Sequence, residues 1–137
     1  MNIALIAHDK KKELITEFCI AYSGILKKHN LCATGDTGAY IMESTDLEID
    51  RVLSGAQGGA QQICARISYN EIDLVLFFND PISAQPYEPD VAPLLNACDM
   101  YNIPIATNVA TAEVLVLGLG RGDLDWRNIV REKSKAG

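Results

Sequence analysis

The chain has 137 residues, 48% apolar and 22% charged, a composition that excludes a disordered chain and leaves room for one domain with a real core, residues 1–137. Twelve Lys and Arg against eighteen Asp and Glu give a net charge of −6, which excludes nucleic acid as a natural partner. No apolar run approaches the roughly 20 residues that span a bilayer, so no membrane partner is expected.

Strand and helix signals alternate from the first residue. Asn2–Ala7 is an apolar run ending in a polar cluster, as a buried parallel strand does. Lys11–Lys28 carries Leu14, Ile15, Phe18, Ala21, Tyr22 and Ile25 at helical spacing. Leu31–Ala33 is a short strand, followed by "TGDTG", and Ala39–Ser44 a short helix. Arg51–Leu53 is the third strand and Gly59–Tyr69 the next helix. "DLVLFF" is a strand fit for burial on both faces. The proline-rich "NDPISAQPYEPDVAP" after it is a long ordered loop, more than a connection requires. A helix starts at Pro89 or Asp90 and runs to about Tyr101, "IPIATN" is the fifth strand, and Thr111–Leu117 is helical. Asp125–Arg131 is the last helical stretch, after which the tail frays.

Five short strands alternating with helices predict an α/β fold with a parallel five-stranded sheet covered on both faces. In such sheets ligands gather beyond the carboxyl ends of the strands. That rule selects "AHDK", "ATGDTG", "SGAQGG", "NDP" and "TN" as the pocket.

Each of these segments has two readings. His8, Asp9 and Lys12 form an anion site at a helix start, or Asp9 caps the helix and the lysines are solvated. "ATGDTG" is a phosphate cradle of Thr34, Gly35 and Thr37 that Asp36 opposes, or a plain turn with Asp36 in solvent. Ser54 and Gly55 add donors, or simply join strand to helix. Asp80, Tyr87, Glu88 and Asp90 supply acid–base groups, or hold turns and caps. Cys32 and Cys64 read as small core residues rather than nucleophiles. The four cysteines lack metal or redox spacing, which predicts a reduced, cytoplasmic protein with no metal.

Taken in order, "NIALIAHDKKKELI", "LCATGDTG", "LSGAQGGAQQI", "DLVLFFNDPISAQPYEPDV" and "NIPIATNVATAEVLV" resemble the methylglyoxal synthase family over nearly the whole chain. The resemblance implies a homohexamer, no cofactor, and conversion of dihydroxyacetone phosphate to methylglyoxal and phosphate. It places Lys12, Thr34, Gly35, Asp36, Thr37, Ser54 and Gly55 around the phosphate and His8, Asp80 and Asp90 near the reacting carbons. It also marks departures. Ala60 stands where the family has the carboxylate base of "GGDQQ", Tyr87 where it has a histidine, and Asp36 where it has a threonine. Ala56, Gln57, Cys64, Asn79 and Asn96 differ as well.

Departures confined to the pocket point to a reshaped site, by natural repurposing or by engineering. Three outcomes follow: an impaired lyase with Asp80 or Asp90 as surrogate base, a binding module lined by Gln57, Asn79, Tyr87 and Asn96, or a new activity using Asp36 as base or Cys64 as nucleophile beside His8.

Overall fold

The computed structural model describes residues 1–136, with side chains to Lys133. Its centre is a parallel sheet of β1 (Asn2–Ala7), β2 (Asn30–Ala33), β3 (Ile49–Arg51), β4 (Leu74–Phe78) and β5 (Ile105–Ala106). The strand order is β3-β2-β1-β4-β5. The helices are α1 (Lys12–Ala21), α2 (Ser23–Leu26), α3 (Gly35–Met42), α4 (Gly59–Ser68), α5 (Val91–Tyr101), α6 (Val109–Gly120) and α7 (Trp126–Ala136).

Alternation along β1 divides the core. Ile3, Leu5 and Ala7 face one way and pack with Ile15 and Phe18 of α1, Ile41 of α3 and Val116 of α6. Ala4 and Ile6 face the other way and pack with Ile63 and Ile67 of α4 and Leu94 and Cys98 of α5. The result is the expected three-layer α/β arrangement, with both faces of the sheet covered.

Several boundaries differ from the sequence expectation, each for a physical reason. The Lys11–Lys28 helix is broken at Tyr22 into α1 and α2, where Ser23 and Gly24 supply weak helix formers. The third strand is Ile49–Arg51, not Arg51–Leu53, and pairs Leu31 with Ile49 and Ala33 with Arg51. It is an edge strand, so exposed Asp50 and Arg51 mask its pattern. "TGDTG" is not a loop before a helix: Thr34 is the N-cap and Gly35 opens α3. Asp73 precedes β4 instead of joining it. The last helix passes Arg131 and reaches Ala136, and the fate of the tail at Gly137 lies outside the described residues.

The chain leaves the centre of the sheet twice, first to β2 and β3, then across to β4 and β5. The strand order therefore reverses between β1 and β4, and a crevice opens beyond their carboxyl ends. His8 follows β1 and Asn79-Asp80 follows β4, so the topology itself delivers them to this point.

The glycine pair that leads into α4 has a steric origin. Gly58 has φ +101°, a left-handed conformation that favours glycine. A Cβ on Gly59 would lie 2.0 Å from the Leu53 carbonyl oxygen, which is backbone and cannot yield. Gly59→Ala is expected to destabilise the fold by about 1–3 kcal/mol, read as a lower denaturant midpoint. The α4 entry is thus a packing device as well as a wall of the site.

Candidate functional site

His8 is 3% exposed and closes the switch point between β1 and β4. Its Nδ1 accepts the Asp80 backbone N–H at 2.7 Å, which leaves the ring proton on Nε2. That Nε2–H donates to the Pro89 carbonyl at 2.6 Å. The ring also meets Phe77 edge-on, with centroids 5.1 Å apart. Both nitrogens are therefore spent on backbone, and His8 positions the loop from Asn79 to Asp90.

Asp80 is likewise committed. Its Oδ1 accepts the Ile82 and Ser83 N–H groups at 3.1 Å each, and its Oδ2 accepts the Ser83 hydroxyl at 2.7 Å. These hydrogen bonds, that of the Ser83 hydroxyl foremost, pull its pKa down to about 2. Asp90 is the N-cap of α5 and accepts the Ala92 N–H at 3.1 Å. For both carboxylates the turn-and-cap reading describes the geometry.

A second cluster surrounds Lys12 in the first turn of α1. Its ammonium donates to Asp9 Oδ1 at 2.7 Å and to the Ala7 carbonyl at 3.3 Å, and pairs with Asp36 Oδ2 at 3.1 Å. Partial burial pulls its pKa down, but the bond to Asp9 and the Asp36 charge outweigh that and leave it raised. Asp36 Oδ1 in turn accepts the Gly55 N–H at 3.2 Å. Burial works to raise the Asp36 pKa, and Gly55 and Lys12 together override it and hold it lowered. Asp36 is therefore not in free solvent.

Tyr87, 59% exposed, joins the same network by donating its hydroxyl to Asp9 Oδ2 at 3.1 Å. That bond, made to a carboxylate, raises the tyrosine pKa. Asp9 itself is held below its usual range, chiefly by the hydrogen bond from Lys12. The backbone N–H of Asp9 donates to Glu88 Oε1 at 2.6 Å.

The other cradle residues divide. The Thr37 hydroxyl is fully buried and bonds the Ala7 backbone, 3.3 Å to its N and 3.4 Å to its O, stapling α3 to β1. The Gly35 N–H donates to the Leu53 carbonyl at 3.0 Å. Thr34 is 1% exposed, and its hydroxyl has no hydrogen-bond partner among the described residues. Ser54 sits half-buried before the turn Gly55–Gln57, and its carbonyl accepts the Gly59 N–H at 2.9 Å.

The loop from Asn79 to Asp90 splits the expected single pocket into two clefts that share Pro86, Glu88, Pro89 and Asp90. One, about 370 Å³, is lined by Gly55, Ala60, Cys64, Tyr87 and Leu94. The other, about 380 Å³, is lined by His8, Asn79 and Asp80. Gln57 and Asn96 are exposed and line neither cleft, which corrects the expected polar lining. A larger hollow of about 640 Å³ lies at the opposite edge, by Lys27–Asn30 and Asp46–Asp50. It sits at the amino ends of β2 and β3 and mixes both charge signs, so we place the functional site at the carboxyl ends.

Ala60, in the first turn of α4, is 6% exposed and packs into the core with only its edge on the first cleft. Cys64 stands one turn further along the same cleft, and burial pushes its thiol pKa up. Burial acts on Cys32 in the same direction, and that residue is 5% exposed in the core. A raised thiol with no free imidazole beside it is not an activated nucleophile, which corrects the Cys64–His8 expectation. Among the described residues no group of three or more His, Cys, Asp or Glu is arranged to hold a metal ion. No described helix is long and apolar enough to cross a membrane.

Sequence reasoning undervalued Asp9, which connects Tyr87 to Lys12, and Glu88, which ties its loop to the Asp9 N–H. The spacing of Asp9 and Lys12, three residues apart on one helical face, was the available signal for that pair.

Comparison with known proteins bears on this geometry. The MGS-like domain family matches residues 15–107. Methylglyoxal synthase of Caldicellulosiruptor saccharolyticus is 62% identical over 97% of this chain and 94% of its own. That of Geobacillus sp. (strain WCH70) is 57% identical over 96% of this chain and 94% of its own. The crystal structure of methylglyoxal synthase from Elizabethkingia anophelis NUHP1 superposes with a TM-score of 0.82 at 43% identity, covering 84% of this chain and 76% of that one.

Proposed function

The chain belongs to the methylglyoxal synthase family, and from that premise we propose that it is a methylglyoxal synthase whose turnover of dihydroxyacetone phosphate is severely impaired. One observation carries this reading. Ala60 sits at the head of α4 where the resemblance puts the base, and a methyl group accepts no proton. The nearby acids are committed elsewhere, Asp80 to its own turn, Asp90 to its cap and Asp36 to Lys12.

In the family reaction a carboxylate takes the proton from the hydroxyl-bearing carbon beside the carbonyl. The electron pair left behind forms an enediolate, the C–O bond to phosphate then breaks, and phosphate leaves with the bonding pair. Here the first transfer lacks an acceptor. A positioned base contributes roughly 10²–10⁴-fold, and the loss is of that order. An Asp80 with a pKa of about 2 is a poor substitute near neutrality. Tyr87, its proton held by Asp9, does not replace an imidazole.

The proposal includes one methylglyoxal-synthase-like domain over residues 1–137, free of cofactor, in a reducing cytoplasm. It also includes assembly as a homohexamer, which would cover exposed apolar side chains such as Val114 and Ile129. A second reading, a binding module, is favoured by the 370 Å³ cleft with Ala60, Cys64, Pro93 and Leu94 on its walls beside the carboxylates of Glu88 and Asp90, which suits a small ligand that is not an anion.

The test is direct. Supplied with dihydroxyacetone phosphate, the purified chain is expected to release methylglyoxal and phosphate about 10²–10⁴-fold more slowly than a methylglyoxal synthase that carries the carboxylate base. Turnover in the ordinary enzymatic range, about 1–10³ per second, defeats the proposal.

A further inference from the structure

We infer that the Asp36 carboxylate is a built-in occupant of the anion subsite, which it fills and neutralises, so that Asp36 decides the charge of the ligand this site accepts. The inference deepens the reading above and rests on it for the class of ligand excluded, a phosphate ester.

The donors that would hold an anion converge on one carboxylate. The Lys12 ammonium lies 3.1 Å from Oδ2, and the Gly55 N–H donates to Oδ1 at 3.2 Å. Asp36 stands in the first turn of the eight-residue helix α3, where backbone amides favour negative charge. An ammonium, a loop amide and a helix start are what a phosphate uses, and a side chain of the same sign already holds two of the three. Lys12 is further neutralised by Asp9 at 2.7 Å, so the cluster carries two carboxylates for one ammonium.

A second observation concerns the residue that precedes α3, two positions before Asp36. The Thr34 hydroxyl, at the N-cap of α3, is 1% exposed and has no hydrogen-bond partner among the described residues. Buried hydroxyls are nearly always hydrogen-bonded, and Thr34 does not cap its own helix. Asp36 engages Lys12 and Gly55 and makes no hydrogen bond with the Thr34 hydroxyl. A two-oxygen carboxylate thus meets the charge of the site and leaves a buried donor that a phosphate, with more oxygens, could engage.

The consequence is a like-charge barrier. An incoming phosphate must displace the Asp36 carboxylate from Lys12 and Gly55 and then lie beside it, and such juxtaposition is costly. Asp36 is 39% exposed at its side chain, so replacing it does not empty the core.

The experiment titrates inorganic phosphate against the parent chain, Asp36→Thr and Asp36→Ser, by melting temperature and calorimetry in a phosphate-free buffer. The parent is expected to show little or no stabilisation. Both variants are expected to gain a concentration-dependent rise, with affinity at least about tenfold tighter than the parent. Adding Lys12→Ala to Asp36→Thr is expected to abolish the gain. Equal phosphate affinity in parent and variants, no response in either folded variant, or a gain that survives Lys12→Ala would each overturn the inference. No turnover is read. A parent that makes methylglyoxal yet shows this phosphate pattern overturns the impairment alone, and an inactive parent that binds phosphate as tightly as Asp36→Thr overturns this inference alone.

Discussion

The combination Ala60→Asp, Tyr87→His and Asp36→Thr is expected to raise methylglyoxal formation from dihydroxyacetone phosphate by about 10²–10⁴-fold over the parent chain. Ala60 is 6% exposed at the edge of the cleft, so an aspartate there is largely desolvated. Desolvation raises a carboxyl pKa, which moves it toward the operating pH of a general base. Tyr87→His removes the hydroxyl that binds Asp9 and supplies a group that titrates near neutrality. Asp36→Thr frees Lys12 and the Gly55 N–H for the substrate's phosphate.

The three changes should be strongly non-additive. Ala60→Asp alone has a base but no phosphate grip, and Asp36→Thr alone has the grip without a base. The comparison to make is kcat/KM for the singles against the triple, with melting curves alongside, because burying a carboxylate costs stability. A folded triple variant with parental turnover would implicate Asn79, which lines the second cleft. Gln57 and Asn96 are poor suspects, since neither lines a cleft.

The second large effect is on stability. Arg127 is fully buried, as is its partner Asp73, and Nε donates to Oδ1 at 3.3 Å. The guanidinium also donates to the Asn70 side chain at 3.0 Å and the Ile72 carbonyl at 3.2 Å, while Nη1 has no hydrogen-bond partner among the described residues. Asp73 is completed by the Asn2 N–H at 2.8 Å and Arg131 at 3.0 Å. This cluster pins α7 beneath the amino ends of β1 and β4.

Truncation by Arg127→Ala leaves a buried carboxylate short of its main counter-charge and opens a cavity. Breaking a buried pair from one side costs about 3–5 kcal/mol, and that loss is expected in equilibrium denaturation. Arg131→Ala, whose side chain is 23% exposed, should cost far less, about 1 kcal/mol or below. Equal losses in the two variants would contradict the assignment of Arg127 as the anchor.

The architecture was legible because its signals are local. Ile3 through Ala7 and Leu74 through Phe78 are buried on both faces and read as such from apolar runs alone. Strand β3 was misplaced because an edge strand needs apolar residues on one side only: Ile49 is its one buried residue, and the apolar pair Val52-Leu53 just beyond it drew the expected strand toward Arg51–Leu53. The start of α3 was hidden because two glycines in "TGDTG" argue against helix, whereas tertiary contacts such as the Thr37 hydroxyl on the Ala7 backbone override that weak preference.

The site was legible in membership and not in state. Topology puts His8, Asp36, Gly55, Asp80 and Tyr87 at the same end of the sheet, as the strand-end rule predicts. Sequence does not show that His8 spends both nitrogens on Asp80 and Pro89, 72 and 81 residues away. Nor does it show that the glycine loop is shaped by the Leu53 carbonyl, or that Asp36 has closed on Lys12. Pairings between distant segments depend on how the backbone is held, and no local pattern encodes them.

The central claim is that Ala60 leaves the proton on the substrate carbon without an acceptor. It is tested most directly by incubating the parent chain with dihydroxyacetone phosphate in deuterated water and following the substrate's C–H signals by NMR, since exchange reports the base even if phosphate never leaves. The claim predicts exchange no faster than in buffer alone for the parent, and clear exchange once Ala60→Asp is added to Asp36→Thr. Rapid exchange catalysed by the parent chain would contradict it.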